Sequence, residues 1–150
     1  MCAAVREWLA ARPGLRIVAL YAALAEEVDL LPLVGWDPNR RWVFPRICGR
    51  VLEFHEVRDV AHDFVAGSMG ISEPARSLPV VEVSAVDVFL CPGLAFDGKG
   101  GRLGRGGGFY DRMLAKARPE AIKVGVCHPL QRVADTFTEP HDVIMDVVIS

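Results

Sequence analysis

GRLGRGGGFYDRML, residues 101–114, is the stretch of sequence that says most about this chain. Its first eight residues contain five glycines and two arginines, Arg102 and Arg105, and no β-branched residue. Glycine loses more backbone entropy on folding than other residues, so a cluster this dense is typical of turns with positive φ or of backbone that lies close to a ligand. The stretch therefore predicts a loop with a specific binding or packing role.

The glycine-rich segment lies between a predicted strand and a predicted helix. The strand is DVFLCPG, residues 87–93, a short apolar run that ends in Pro-Gly, and the helix is FYDRMLAKA, residues 109–117. Ligands of a parallel α/β sheet bind beyond the carboxyl ends of its strands, where such a loop enters a helix. Free N–H groups and the positive end of the helix dipole favour an anion there. We expect phosphate to bind, with Arg102 and Arg105 donating to its oxygens.

Other interpretations of this segment are weaker. A merely flexible surface loop is disfavoured by the strand before it, the helix after it and the two arginines. The segment lacks the Gly-Lys-Ser/Thr of a Walker A loop, and no G-x-G-x-x-G spacing occurs. Asp111 either favours the helix dipole or, beside a polyphosphate, binds Mg²⁺, which uses only one or two carboxylates. Asp146, a lone acid in VIMDVV, is expected to have a metal or a basic group as its partner.

The remaining hydrophobic patterns alternate between helices and strands. An amphipathic helix around Val5, Trp8 and Leu9 is followed by Pro13-Gly14. The other predicted elements are a strand at 15–21, a helix at 25–34, strands at 41–47 and 51–57, a strand at 121–127, a short helix at 130–137 and a strand at 142–150. This order predicts a single α/β domain over residues 1–150, a three-layer sandwich with a mostly parallel, Rossmann-like central sheet.

The strand predicted at 51–57 has an alternating pattern. Glu53 and His55 alternate with apolar residues, so we expect one face of this strand to be exposed to water.

Composition narrows the classes of function. The 150-residue chain is 51% hydrophobic with a formal net charge of -2, which allows a sizeable core and gives no general reason to bind nucleic acid or an anionic membrane. The four cysteines have no CxxC or zinc-like spacing, which indicates a reduced, cytoplasmic protein. The sequence contains neither a signal-peptide core nor a run of about 20 apolar residues that would span a membrane. We expect a monomer that binds small molecules.

Several motifs together identify a family. CPGLAFDGKGGRLGRGGGFYDR, residues 91–112, resembles the signature of 5-formyltetrahydrofolate cyclo-ligase, also called 5,10-methenyltetrahydrofolate synthetase. YAALAEEVD, FPRI, GISEP and HDVIMDVV extend the similarity across nearly the whole chain. The resemblance implies an enzyme that uses ATP and Mg²⁺ to convert 5-formyltetrahydrofolate to 5,10-methenyltetrahydrofolate, releasing ADP and phosphate. Its substrates would be ATP and 5-formyltetrahydrofolate.

The resemblance also implies roles for individual residues. The residues expected to bind ATP are Arg102, Leu103, Gly104, Arg105, Gly106, Gly107, Gly108, Phe109 and Tyr110. Those expected to line the folate site are Ala22, Glu27, Arg105, Gly106, Gly107, Gly108 and Phe109. Arg105 and Tyr110 would be catalytic, and Asp111 and Asp146 would hold Mg²⁺. Glu27 would accept hydrogen bonds from the amino and ring N–H groups of the pterin.

The chain departs from the family pattern at its start. Family members begin with an additional helix that carries a Lys and an Arg, whereas VREWLAARPG, residues 5–14, resembles the segment after that helix. We therefore expect an N-terminally shortened domain without the first basic clamp. A catalytically impaired folate- or nucleotide-binding paralogue or fragment is the alternative. An ATP-dependent ring closure on another one-carbon carrier is a further alternative. An RNA-associated module is disfavoured by the net negative charge and by the length of the chain, which leaves no room for an RNA-binding domain.

Overall fold

The structure is a computed structural model, and it describes residues 1–67 and 70–150. Within these ranges the helices are α1 (Cys2–Ala10) and α2 (Phe109–Leu114). The strands are β1 (Ile17–Ala19), β2 (Arg41–Cys48), β3 (Val51–Glu56), β4 (Phe64–Ala66), β5 (Ser72–Pro74), β6 (Val80–Val81), β7 (Val88–Cys91), β8 (Ala95–Phe96), β9 (Arg102–Leu103), β10 (Ile122–Val126) and β11 (Val147–Ile149). No helix in the described ranges is long and apolar enough to cross a membrane.

The central sheet has seven strands in the order β11-β10-β7-β1-β2-β3-β6. The strands from β11 to β2 are parallel to one another, and β3 and β6 continue the sheet in antiparallel pairs. The strands β4 and β5 pair separately, as do β8 and β9. The predicted mostly parallel sheet is confirmed, and its β2–β3 pair is antiparallel because a tight turn joins these two strands.

The two helices cover opposite faces of this sheet. Successive residues of a strand point to opposite faces, and in β7 Val88 and Leu90 pack with α1 whereas Phe89 and Cys91 pack with α2. Every residue of β7 is buried, as expected for a strand of a parallel sheet that is covered on both faces. This layering confirms the predicted three-layer α/β sandwich.

Two predicted helices are largely absent. In the segment 25–34 only Leu31–Leu33 forms a short 3-10 helix, and in 130–137 helical structure is confined to the 3-10 turn Pro129–Gln131. Side chains compete with the helical hydrogen bonds in the first segment. The Glu27 carboxylate accepts a hydrogen bond from the backbone N–H of Leu24, and the Asp29 carboxylate accepts one from the backbone N–H of Leu31. The second prediction fails because the backbone N–H of Val133 donates to the carbonyl of Phe96.

The prediction of a wet face on β3 is wrong for His55. This side chain is 1% exposed, with Nδ1 3.0 Å from the carbonyl oxygen of Leu78 and Nε2 2.9 Å from the Glu53 carboxylate. The segment that leads into β6 covers His55, a long-range contact that the alternating pattern of a single strand does not reveal.

Candidate active site

The glycine-rich loop is more elaborate than a direct connection between strand and helix. After β7 and Pro92-Gly93, the chain forms the β8–β9 hairpin, and only then do residues 104–108 lead into α2. Gly106 has φ of +86° and Gly108, at the N-cap of α2, has φ of +63°. Both lie in the left-handed region that glycine adopts without strain. The two arginines therefore belong to different local structures: Arg102 lies on β9, and Arg105 lies in the loop after β9.

Asp97 fastens the turn of this hairpin. Its buried carboxylate accepts hydrogen bonds from the backbone N–H groups of Lys99, Gly101 and Thr136 and from the Thr136 hydroxyl, at 2.7–3.1 Å. These bonds, the Thr136 hydroxyl first, hold the pKa of Asp97 well below its usual range. A Cβ at position 101 would collide with Thr136 Oγ1 and Asp97 Oδ2. Gly101 is therefore required for packing, and Asp97 is a structural residue that the sequence analysis missed.

Arg102 turns toward Asp111. Its side chain is buried, with Nη2 3.3 Å from Asp111 Oδ2 and Nη1 donating to the Pro92 carbonyl at 3.4 Å. The guanidinium also lies over the ring of Tyr110, 5.3 Å from its centroid. Among the described residues, Arg102 Nε has no hydrogen-bond partner. The structure thus brings together three predicted site residues, Arg102, Tyr110 and Asp111.

Arg105 reaches across to the segment that follows β1. Its Nη2 donates to Glu26 Oε2 at 3.0 Å, and its Nε lies 3.8 Å from Glu27 Oε1. The other carboxylate oxygen of Glu27 accepts the backbone N–H of Leu24 at 3.0 Å, which fixes this nearly buried side chain. The predicted phosphate-binding arginine and the predicted folate-binding glutamate are therefore neighbours. Glu26 is a further contact that the sequence analysis did not single out.

The two proposed metal ligands have different partners. Asp111 Oδ1 accepts the backbone N–H of Val143 at 3.1 Å in addition to its ion pair with Arg102. Asp146 Oδ2 accepts the backbone N–H of Lys123 at 2.7 Å and lies 3.4 Å from its Nζ. The described part of the chain contains no cluster of three or more His, Cys, Asp or Glu side chains that would enclose a metal ion. Each of the two carboxylates is therefore paired with a cation, and a Mg²⁺ ion bound by either of them would take most of its ligands from water and phosphate oxygens.

Burial keeps the phenols and the nearby thiol protonated. Removal from water raises the pKa of Tyr110 well above its ordinary value of 10, and it raises that of Tyr21. The same cause raises the pKa of the Cys91 thiol to about 12. The Tyr21 hydroxyl has no hydrogen-bond partner among the described residues. In this region Tyr110 is suited to donate a hydrogen bond, and Cys91 is not a nucleophile.

The other predicted site residues lie at the margins. Ala22 is half-buried after β1, and Leu103 on β9 is 47% exposed, with its carbonyl accepting the backbone N–H of Leu94. Phe109, the first residue of α2, borders a groove of about 280 Å³. The groove is lined by Val51, Leu52, Glu53, Phe54, Val80, Val81, Glu82, Val83, Ser84, Phe109, Arg112, Met113 and Lys116. Its apolar floor suits an apolar ligand, and its charged side chains are two basic residues, Arg112 and Lys116, and two acidic residues, Glu53 and Glu82.

The sequence that contains the glycine-rich loop, Arg105 and Glu27 matches a known family. The model of the 5-formyltetrahydrofolate cyclo-ligase family matches residues 17–150. The chain belongs to the 5-formyltetrahydrofolate cyclo-ligase family. The resemblance that the sequence motifs indicated is therefore confirmed, and the family match includes both the loop and the segment that carries Glu27.

Individual members of the cyclo-ligase family support this assignment to different extents. The Mycolicibacterium smegmatis 5-formyltetrahydrofolate cyclo-ligase is 41% identical over 87 residues, which cover 57% of this chain but only 45% of that protein. The Escherichia coli cyclo-ligase is 31% identical over 147 residues, covering 89% of this chain and 76% of that protein. The solved structure of Aquifex aeolicus 5,10-methenyltetrahydrofolate synthetase matches 98% of this chain with a TM-score of 0.82 and 30% identity, and 76% of that chain is covered.

Proposed function

We propose that this chain converts 5-formyltetrahydrofolate to 5,10-methenyltetrahydrofolate with ATP and Mg²⁺, releasing ADP and phosphate. The contact between Arg105 and Glu27 carries the proposal. It joins a cation of the glycine-rich loop, suited to phosphate, to a fixed carboxylate suited to the N–H groups of a pterin. A phosphoryl group that passes from ATP to a folate would be transferred beside this contact.

In the proposed reaction, the formyl oxygen on N5 attacks the γ-phosphorus of ATP, and ADP leaves. N10 then attacks the activated formyl carbon, loses its proton, and phosphate departs as the ring closes. Such a transfer depends on positioning and charge neutralisation rather than on covalent bonds to the protein. Arg105 would bind the transferred phosphate, Glu27 would orient the pterin, and the protonated Tyr110 hydroxyl would donate to an adjacent oxygen.

The metal belongs to the same proposal. Asp111 and Asp146 would hold Mg²⁺, which when bound supplies neutralisation of phosphate charge. Asp111 lies beside Arg102, so the two residues bring one negative and one positive charge to the base of the loop. The remaining residues of the loop, Gly104 and Gly106–Gly108, would let the backbone approach the phosphates because they have no side chains.

The groove beside Phe109 would receive the rest of the folate. Its floor of Leu52, Phe54 and Val81 suits an aromatic ring, and Arg112 and Lys116 suit the carboxylates of the glutamate tail. Arg112 is already oriented, because its Nη2 donates to the carbonyl of Arg50 at 3.0 Å. The groove thus supports a folate in preference to a smaller one-carbon carrier.

The test is an absorbance assay of methenyltetrahydrofolate formation by the purified chain with 5-formyltetrahydrofolate and ATP. We expect product only when ATP and Mg²⁺ are both present. If the folded chain binds 5-formyltetrahydrofolate and forms no product, the proposal fails and the catalytically impaired binding protein is the better description. The same assay on two variants separates loss of the site from a general effect of charge: Glu27→Gln changes the proposed folate ligand, and Glu7→Gln on α1 is an exposed control.

The predicted cellular location and state of association are part of this proposal. All four cysteines are free thiols in the structure, two of them buried, which supports a reducing, cytoplasmic location. The monomeric state stays a prediction that size-exclusion chromatography with light scattering would test.

A further inference from the structure

Arg105 is shared by two carboxylates that differ in how firmly they are held. The Glu27 side chain is 10% exposed and is fixed by the N–H of Leu24. The Glu26 side chain is 69% exposed, and its 3.0 Å contact is with Arg105. The Arg105 side chain is 46% exposed, so an incoming ligand can reach it.

The loop that carries Arg105 is open to solvent at Gly106, whereas Gly104, Gly107 and Gly108 lie close to neighbouring side chains. A Cβ at Gly106 would meet no atom within 4 Å, so this part of the loop lies in open space. The ion pair with Glu26 and Glu27 links it to the segment after β1, 78 residues away in the chain. A phosphate that binds Nη2 of Arg105 would take the position of the Glu26 carboxylate, which contacts that nitrogen at 3.0 Å.

We propose that Glu26 is a positioning residue that competes with the terminal phosphate of ATP for Arg105. The proposal rests on the proposed function, because it takes Arg105 as a phosphate ligand. Glu26 holds the guanidinium beside Glu27 when the site is empty and releases it when the γ-phosphate arrives. The γ-phosphate is the one concerned, since Arg105 lies against Glu27, the residue assigned to the folate that receives this phosphate.

This competition predicts the direction in which a substitution of Glu26 changes the affinity of the chain for a nucleoside triphosphate. Loss of the Glu26 charge should tighten the binding of a nucleoside triphosphate, because Arg105 no longer has to leave Glu26. Exposed ion pairs are weak, so the expected gain is up to about fivefold in the dissociation constant. ADP lacks the terminal phosphate, and its affinity should stay nearly unchanged.

The experiment is isothermal titration of the full chain with adenosine 5′-(β,γ-imido)triphosphate and, separately, with ADP, both with Mg²⁺. Glu26→Gln removes the charge, and Glu26→Asp keeps it on a side chain one methylene shorter, which cannot reach Arg105 as closely. Glu120→Gln, in the exposed turn before β10, is the matched control for net charge. Thermal unfolding of each variant shows whether its stability is unchanged.

We expect Glu26→Gln to bind the triphosphate analogue about two- to fivefold more tightly, Glu26→Asp to show a smaller gain, and Glu120→Gln to match the wild type. An affinity of Glu26→Gln equal to that of Glu120→Gln, or weaker, overturns the competition. Equal tightening of ADP overturns the assignment to the terminal phosphate. Failure of the wild type to bind either nucleotide overturns the proposed function itself, whereas the other two outcomes leave it intact.

Discussion

Among single residues, Asp111 combines a structural contact with a proposed role as a metal ligand. Its carboxylate neutralises Arg102, whose side chain is 5% exposed, and it accepts the backbone N–H of Val143. A change at this position therefore alters stability as well as any metal binding. The two effects must be separated before a loss of activity is assigned to the metal.

We predict that Asp111→Asn abolishes most Mg²⁺-dependent turnover and also lowers the free energy of unfolding by about 1–3 kcal/mol, because Arg102 is left buried without its counter-charge. Adding Arg102→Met should restore part of the stability and none of the turnover. Denaturant unfolding and the methenyltetrahydrofolate assay measure the two quantities. Full turnover in Asp111→Asn would show that this carboxylate does not hold the metal.

The two tyrosines of the chain provide a second test at this scale. Burial raises the pKa of both phenols above the ordinary value, so ionisation is favoured in the unfolded state. Their contribution to stability is fully present below the unfolded pKa of about 10 and is lost as the pH rises above it. Tyr21 and Tyr110 should thus resist ionisation for as long as the chain stays folded.

We predict that phenolate absorbance stays absent at pH 10, where about half of exposed tyrosine would be ionised, and that it appears together with unfolding at higher pH. Circular dichroism on the same samples reports the unfolding. Tyr110→Phe should halve the final absorbance and weaken the loss of stability with pH. Phenolate that forms in the folded protein near pH 10 would contradict the burial of these side chains.

At the scale of elements, the β8–β9 hairpin determines where Arg102, a predicted ATP-binding residue, lies. Asp97 closes its turn through four hydrogen bonds, and Thr136 anchors it to the segment before β11. The carboxylate pKa is depressed, so this stabilisation is present above the unfolded pKa of about 4 and is lost as the pH falls through the lower, folded value. The turn of the hairpin is thus held by a charged side chain, while Phe96 of β8 is buried in the apolar core.

We predict that Asp97→Asn lowers the free energy of unfolding by about 1–3 kcal/mol at pH 7, and that this difference shrinks as the pH falls below about 4. Urea denaturation across this range measures both. Asp135→Asn is the control, because Asp135 is exposed and accepts one backbone bond, from Phe137. A difference between Asp97→Asn and wild type that does not change with pH would show that the negative charge is unimportant.

The elements also show what sequence patterns can predict. The strands β2, β3, β7 and β10 were predictable because their segments are short and rich in β-branched or aromatic residues, with alternation in β3 and a terminal Pro-Gly after β7. The segment 25–34 was not, since its helical spacing is overridden by side-chain bonds of Glu27 and Asp29 to the backbone. Gly101 was assigned to a loop that binds phosphate, whereas its contacts with Asp97 and Thr136 come from tertiary packing.

For the molecule as a whole, the proposed site draws on distant parts of the chain. Glu27, after β1, meets Arg105, before α2, whereas Asp146, before β11, pairs with Lys123. The motifs predicted the members of this set through the family, but a single sequence contains no signal for the pairing of Arg105 with Glu26. Because the members lie on different elements, ligands that contact several of them should stabilise the whole fold.

We predict that Mg²⁺ with adenosine 5′-(β,γ-imido)triphosphate, and separately 5-formyltetrahydrofolate, raise the thermal midpoint of the chain. A ligand at 100 times its dissociation constant adds about 2.7 kcal/mol, which corresponds to about 5–10 °C for a chain of this size. Glu27→Gln should lose most of the shift caused by folate and keep the shift caused by nucleotide, because only the pterin needs its carboxylate. Glu7→Gln should keep both shifts. An undiminished folate shift in Glu27→Gln would show that the pterin does not bind to the Glu27 carboxylate.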